Sequence, residues 1–110
     1  MSDPAPYANR FTPPDAAEQV AALSRRVAHA THALIESSRE LNMPVKASEV
    51  IIYDAEALTV NSTGKALSAA RRKGLAENWG RVWTPSLRAL DLRKALEDRF
   101  LADTADERDC

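Results

Sequence analysis

The sequence predicts a mainly α-helical domain that carries one small β-hairpin. Alanine, the best helix former, supplies 20 of the 110 residues, whereas only 5% of the residues are aromatic. Apolar residues recur at spacings of three and four over 15–42, which is typical of a helix that covers a core. Further along, Asn78-Trp79-Gly80 has turn chemistry between two short extended runs and predicts the hairpin. A chain of this length is expected to form one domain with a modest core.

Composition limits the classes of protein to which the chain can belong. No apolar run approaches the roughly 18 residues that a membrane span requires, and no basic-then-apolar secretion signal opens the sequence. We therefore expect a cytoplasmic protein without a membrane partner. The one cysteine is Cys110, which excludes an internal disulfide and a multi-cysteine metal site.

The chain is expected to begin with a flexible arm and a long helix. Residues 1–14 contain four prolines and no apolar period. Asp15 is a possible N-cap, and a single helix over 15–42 is predicted to follow, because Pro44 prevents simple continuation. Its apolar residues form a heptad-like seam of Val20, Leu23, Val27, Ala30, Leu34 and Leu41. The seam fits a core helix of a monomer and a helix that also meets a second copy equally well.

Two histidines on this helix raise the question of a metal site. His29 and His32 share a face with Glu36, a spacing that could in principle bind zinc. No fourth ligand is suggested, and the histidines lie away from the apolar seam. We interpret them as solvated, and we expect no metal and no cofactor.

The segment 45–58 has β-branched residues typical of a strand but flanks that favour a helix. Ser48 can cap a helix, so a short helix is predicted over 48–58, preceded by extended residues at Pro44-Val45. A turn over 59–61 then leads into a basic helix.

The basic helix is predicted over about 62–73. Its first amides can be capped by Asn61, Ser62 or Thr63, and Gly74 is expected to end it. Leu67 and Ala70 mark its inward side. The outward face then holds Thr63, Lys65, Ser68, Ala69 and Arg72.

A hairpin over 75–84 and a last helix over 85–101 follow in the prediction. Trp83 is interpreted as core, whereas Trp79 fits either a contact with a partner or packing back on the hairpin. Thr84-Pro85 offers a hydroxyl cap followed by proline at the first helical position. The polar and acidic residues 102–110 are expected to form a disordered tail.

Charge is distributed unevenly along the chain, although the net charge is only −1. Residues 62–96 contain eight basic and two acidic side chains, a net +6, whereas 97–110 carry a net −4. The positive charge thus centres on the basic helix and the hairpin. This pattern favours a nucleic-acid partner over a merely solvated face.

Residues 45–101 resemble winged helix-turn-helix DNA-binding domains, particularly the MarR-like and related small bacterial or phage regulators. The stretch ALSAARRKGLAE is similar to the basic end of their recognition helix and the Gly-Leu that enters the wing. The stretch RVWTPSLRAL resembles their return through an aromatic strand into a final helix. The resemblance implies a helix-turn-helix over 48–73 and a wing over 75–84, between a long N-terminal helix and a C-terminal helix. Glu77 departs from it, because an acid in the wing repels phosphate.

The resemblance implies sequence-specific binding of double-stranded DNA by a small transcriptional regulator, with the helix 62–73 in the major groove. The wing 75–84 would lie on the backbone or in the minor groove. Bases would be met by Ser62, Thr63, Lys65 and Ser68, and phosphates by Arg71, Arg72, Lys73 and Arg81, the last of which could also enter the minor groove.

Two further expectations concern partners and chemistry. A homodimer through the helices 15–42 and 85–101 is expected, and the alternative is a winged-helix module that binds a protein and not DNA. With no Gly-rich phosphate loop and no paired carboxylates in the sequence, we do not expect an enzyme.

Overall fold

The computed structural model describes residues 12–54 and 56–108. These residues form a mainly helical fold with one two-stranded antiparallel hairpin, which confirms the predicted fold class at this level. In chain order the elements are α1 (Ala16–Ala21), α2 (Arg25–Leu41), α3 (Ala47–Val50), α4 (Val60–Arg72), β1 (Ala76–Trp79), β2 (Val82–Pro85), α5 (Leu87–Asp91) and α6 (Arg93–Arg108).

The single helix predicted over 15–42 is wrong, because the segment folds as two helices, α1 and α2. The amide of Leu23 bonds to the Val20 carbonyl at 3.0 Å, which closes the end of α1. Ser24 then turns extended, with ψ 154°, and its hydroxyl accepts from the Val27 amide at 3.1 Å. Serine is a strong N-cap. The apolar residues keep their spacing of three and four on both sides of Ser24, so the spacing does not show that the helix is interrupted there.

The short helix predicted over 48–58 ends earlier than expected. A 3₁₀ turn, Ile51–Tyr53, extends α3, and Asp54 is already extended. Val45 pairs with Trp83 in an isolated antiparallel bridge, with N–O distances of 3.0 and 2.7 Å. The predicted extended residue before this helix is therefore confirmed at Val45, which adds a third extended segment beside β2.

The basic helix and the hairpin form close to their predicted positions. Thr59, and none of the three predicted residues, caps α4 by accepting from the Ser62 amide at 3.0 Å. Gly74 follows α4 with φ +77°, a left-handed conformation that glycine adopts without strain. The strands β1 and β2 then pair from Ala76 opposite Pro85 to Trp79 opposite Val82.

The C-terminal part differs most from the sequence-based expectation. Thr84 and Pro85 belong to β2, and it is Ser86 that caps the next helix by accepting from the Ala89 amide at 3.1 Å. The predicted helix 85–101 is two helices, α5 and α6. The tail predicted as disordered over 102–110 is helical to residue 108, while 109–110 lie outside the described residues.

Of the predicted arm 1–14, residues 1–11 lie outside the described part, and residues 12–14 have no helix or strand. The core sits between α2, α4, α6 and the hairpin. Its largest fully buried apolar side chains are Leu34, Ile35, Leu67, Leu75, Leu92, Leu96, Val20, Val45 and Val50. Within 12–54 and 56–108, no helix combines the length and the apolar content that crossing a bilayer would need.

Candidate nucleic-acid interface

Helix α4 has one buried face and one polar, partly basic face. Successive residues of a helix are rotated by about 100°, which places Asn61, Lys65, Ser68 and Arg72 along one stripe. Lys65, Arg72 and Asn61 are exposed and Ser68 is half-buried. The opposite side is buried and consists of Thr63, Ala66, Leu67 and Ala70. The predicted inward role of Leu67 and Ala70 is confirmed.

Two of the predicted base-contacting residues are occupied within the chain. Thr63 has 0% exposure and its hydroxyl donates to the Thr59 carbonyl at 3.3 Å, so its placement on the outward face is wrong. Ser62 is half-buried and accepts from Arg26 Nη2 at 3.4 Å. Thr63 lies four residues before Leu67 and seven before Ala70, so helical spacing places it on the buried side with them. The stripe therefore keeps Lys65, Ser68 and Arg72 and gains Asn61.

The remaining predicted cations are exposed around one end of α4 and at the hairpin turn. Arg71 lies in the last turn of α4, Lys73 is its C-cap, and Arg81 follows the left-handed Gly80 between the strands. Among the described residues, no carboxylate pairs with any of these three or with Lys65 and Arg72. Paired arginines and lysines occur elsewhere in the described chain, at Arg25, Arg26, Arg39, Lys94 and Arg99.

The start of α4 is fixed by two arginines of α2. Arg26 Nη1 lies 2.7 Å from the carboxylate of Asp54, whose side chain has no exposed surface. Arg25 forms a bidentate ion pair with Glu56, in which Nε lies 2.9 Å from Oε1 and Nη2 lies 3.2 Å from Oε2. Charge-assisted and bidentate bonds of this kind are the stronger ones. These two ion pairs hold the segment before α4 against α2. The orientation of the polar stripe on α4 is therefore set by contacts within the fold.

The end of α4 is fixed by the residues that start α5. Ser86 donates to the Gly74 carbonyl at 2.6 Å, and its amide bonds to the Leu75 carbonyl at 3.1 Å. Arg88 donates to the Lys73 carbonyl and, at 3.1 Å, to Gln19. Arg88 contributes to the +6 segment in the sequence, but its guanidinium is used inside the fold.

The two tryptophans of the short hairpin differ in their exposure to solvent. Trp83 is half-buried against the core, as expected. Trp79 is 63% exposed, and its indole Nε1 donates to the Thr84 hydroxyl at 3.2 Å across the hairpin. Trp79 thus folds back on the hairpin while leaving most of its ring open. Glu77 is exposed on β1.

The two histidines form a buried cluster with α6, so their interpretation as solvated is wrong. His29 Nε2 lies 2.7 Å from Asp103 Oδ2, and the His32 ring stacks on Phe100 with 4.4 Å between centroids. The Nδ1 atoms of both rings are buried, and no described residue offers either of them a hydrogen bond. Burial lowers the pKa of His32, whereas the negative charges of Glu36 and Glu97 act in the opposite direction.

The Asp103 carboxyl is held ionised by its neighbours. The hydrogen bond from His29 lowers the pKa of Asp103, with Arg99 acting in the same direction. Arg99 also donates to the Val20 and Leu23 carbonyls at 2.8 and 2.7 Å, at the end of α1. The cluster therefore ties α6 to α2 and α1. No group of three or more histidine, cysteine or acidic residues within 12–54 and 56–108 could hold a metal ion.

Several large apolar side chains are exposed, and Ile52 and Leu58 are the most exposed of them. Ile52 is 78% and Leu58 92% exposed, close to the start of α4. Between α1 and α6 lies an open cavity of about 420 Å³. It is lined by Ala17, Val20, Ala21, Ala95, Asp98 and Arg99.

Comparison of the chain with protein-family models, with curated proteins and with solved structures found no match in any of the three.

Proposed function

We propose that this chain is a winged helix-turn-helix domain that binds double-stranded DNA sequence-specifically and acts as a small transcriptional regulator. In this proposal α4 enters the major groove and the β1–β2 hairpin is the wing. The order α2, α3, α4 and hairpin supports the assignment, as does the pairing of Val45 with Trp83, which adds a third extended segment to the wing.

The observation that carries the proposal is a set of five exposed basic side chains without a carboxylate partner among the described residues. They are Lys65, Arg71, Arg72, Lys73 and Arg81. A group of exposed cations raises the local positive potential, which attracts a polyanion, and DNA phosphates release bound counterions when lysine or arginine replaces those ions. A helix about 10–12 Å wide also fits the major groove.

The test is a triple variant in which Lys65, Arg72 and Arg81 become alanine. All three residues are exposed, so the fold should persist, as circular dichroism would verify. Affinity for random duplex DNA should fall, and the slope of log affinity against log salt should decrease by about one per lost phosphate contact.

A charge-matched control replaces three basic residues outside α4 and the hairpin, Arg39, Arg93 and Lys94, by alanine. Its duplex affinity should stay close to that of the unchanged chain. Equal affinity of the unchanged chain and the Lys65, Arg72 and Arg81 variant would refute DNA binding by this face.

A homodimer is part of the proposal, although the expected seam cannot form it in this fold. The seam residues from Val20 to Leu34 are buried within the chain itself, and Leu41 is the one predicted seam residue that is exposed, at 40%. Apolar surface that a second copy could cover lies in the cavity between α1 and α6, and Leu101 of α6 is 43% exposed. Sedimentation should give twice the 12.1 kDa chain mass, and Leu101→Glu should return it to the monomer.

The alternative is a winged-helix module that binds a protein and not DNA. The strongly exposed Ile52 and Leu58 favour it, since large apolar side chains open to water often mark interaction sites. Absence of duplex binding at about 50 mM salt, the regime in which phosphate contacts are strongest, together with co-purification of a protein that Leu58→Ser abolishes, would decide for this alternative.

A further inference from the structure

Asn61 occupies a position on α4 that the fold itself does not use. The helix is capped by Thr59, so the Asn61 side chain is not needed for capping. Asn61 is exposed, and no hydrogen bond joins its carboxamide to another described residue. It begins the same stripe as Lys65, Ser68 and Arg72.

Gly64, one turn further along this face, is also unexplained by the fold. Its φ is not in the left-handed region, and a Cβ at Gly64 would meet no atom within 4 Å beyond its chain neighbours and the backbone of its own helix. Glycine in a helix interior costs about 0.5–1 kcal/mol relative to alanine. The interior of the protein does not require this glycine, so its small size would matter only to a molecule outside the chain.

A short amide side chain beside a glycine fits the edge of an adenine. In the major groove, adenine presents the N7 acceptor and the N6 amino donor, which the amide group of asparagine matches with two hydrogen bonds. Asparagine is short, so the helix must lie close to the base edges for both bonds to form. Gly64 removes the side chain that would stand between the helix backbone and the DNA.

We infer that Asn61 is a specificity-determining residue of the proposed DNA site and reads one adenine in the major groove, with Gly64 permitting the close approach. This inference rests on the proposed function. Lys65, Ser68 and Arg72 continue along the stripe, and the two cations can contact guanine edges or phosphates. Asn61 differs from them because its neutral amide contributes base discrimination and little sequence-independent affinity.

The experiment is selection from a pool of duplexes with a randomised central segment, followed by affinity measurements on the selected sequence. Duplexes selected by the unchanged chain should all carry adenine at one position. Replacing that adenine by guanine should weaken binding by about tenfold or more. Asn61→Ala should lose this discrimination at that position alone. Its salt slope should stay unchanged, since no charge is removed, and its affinity for random duplex should fall less than that of Arg72→Ala.

Three comparison variants separate reading from folding. Arg72→Ala should weaken binding to all duplexes and keep the adenine preference. Asn61→Gln keeps the amide and should retain part of the preference. Gly64→Ala should raise the melting temperature of the free protein, because alanine is the better helix former, and yet weaken binding to the selected sequence.

The outcomes distinguish this inference from the proposed function. If the unchanged chain binds duplex DNA but Asn61→Ala selects the same sequence with the same discrimination, the reading role of Asn61 is wrong while DNA binding stands. Unchanged affinity of Gly64→Ala would likewise overturn the close approach. If the unchanged chain does not bind any duplex at about 50 mM salt, where phosphate contacts are strongest, the proposed function fails together with the inference.

Discussion

At the scale of single residues, similar side chains take opposite roles according to the partner that the fold supplies. Arg26 and Arg72 are both arginines in helices, but Arg26 meets the buried Asp54 carboxylate at 2.7 Å and Arg72 meets no described acid. Thr63 and Ser68 are both small hydroxyl residues of α4, and only Thr63 faces the core. A candidate site residue is therefore identified as much by its lack of a partner among the described residues as by its chemical type.

The buried His32 should make stability depend on pH. Its pKa is lowered by burial, so in the folded state it resists the proton that the unfolded chain takes up below about pH 6.5. The unfolded state then binds more protons, and stability falls as the pH drops from 7.5 to 5.5. We expect the melting temperature of the unchanged chain to fall more over this range than that of His32→Phe, which cannot titrate there.

Asp103 does not interfere with this comparison. Its pKa is lowered mainly by the hydrogen bond from His29, so its contribution is complete above its ordinary value of 3.8 and is lost only as the pH falls below it. The difference between the two chains between pH 7.5 and 5.5 therefore reports His32, which faces His29, Glu36 and Glu97. Identical pH profiles would show that His32 does not titrate with unfolding.

At the scale of the elements, the corner between α4, the hairpin and α5 holds the candidate site in place. Gly74 turns the chain, Ser86 bonds to its carbonyl, and Arg88 bonds to the Lys73 carbonyl beside it. The last turn of α4, with its exposed cations, is thus connected directly to the start of α5. The hairpin begins and ends at this one corner.

The identity of the α5 cap can be tested with two small substitutions. Ser86→Ala removes the oxygen that accepts from the Ala89 amide and the donor to the Gly74 carbonyl, and should lower the free energy of unfolding by about 1–2 kcal/mol. Thr84→Val keeps the β-branched shape in β2 and loses only the exposed bond from Trp79, so it should cost less than about 0.5 kcal/mol. Urea denaturation measures both, and the reverse order would mean that Thr84 is the cap.

At the scale of the whole molecule, α6 connects the two ends of the described chain. Arg99 bonds to carbonyls at the end of α1, Phe100 stacks on His32, and Asp103 pairs with His29. Thr104, further along, is still buried. The acidic C-terminal segment is part of the folded body up to these residues, and its Asp103 bonds to His29 of α2 and to Arg99 of α6 itself.

Shortening the chain tests this role of α6. A chain that ends at Ala102 lacks Asp103 and leaves the buried His29 Nε2 without its partner, which should cost about 1–3 kcal/mol of unfolding free energy. A chain that ends at Ala105 keeps Asp103 and Thr104 and serves as the control. Thermal unfolding should place the shorter chain clearly below the control. Equal stability of both chains would support the disordered tail that the sequence suggests.

The sequence by itself determined the local features that depend on neighbouring residues. The helical period of the core residues from Val20 to Leu34, the end of α4 at Gly74 and the turn at Gly80 are all encoded within a few positions, and they were predicted at the right places. The mainly helical fold with a small hairpin followed from them. The exposed positions of Lys65, Arg72 and Arg81 followed as well.

Tertiary structure alone decided which of several equivalent local signals was used. Thr59 and Asn61 both could cap α4, and Thr84 and Ser86 both could cap α5, because capping chemistry is shared by several side chains. Which one does so depends on where the chain is held by distant partners, such as Asp54 against Arg26. The burial of His29 was equally hidden, since its partner Asp103 lies 74 residues away. Long-range partners of this kind have no local period or motif, so only the folded chain brings them together.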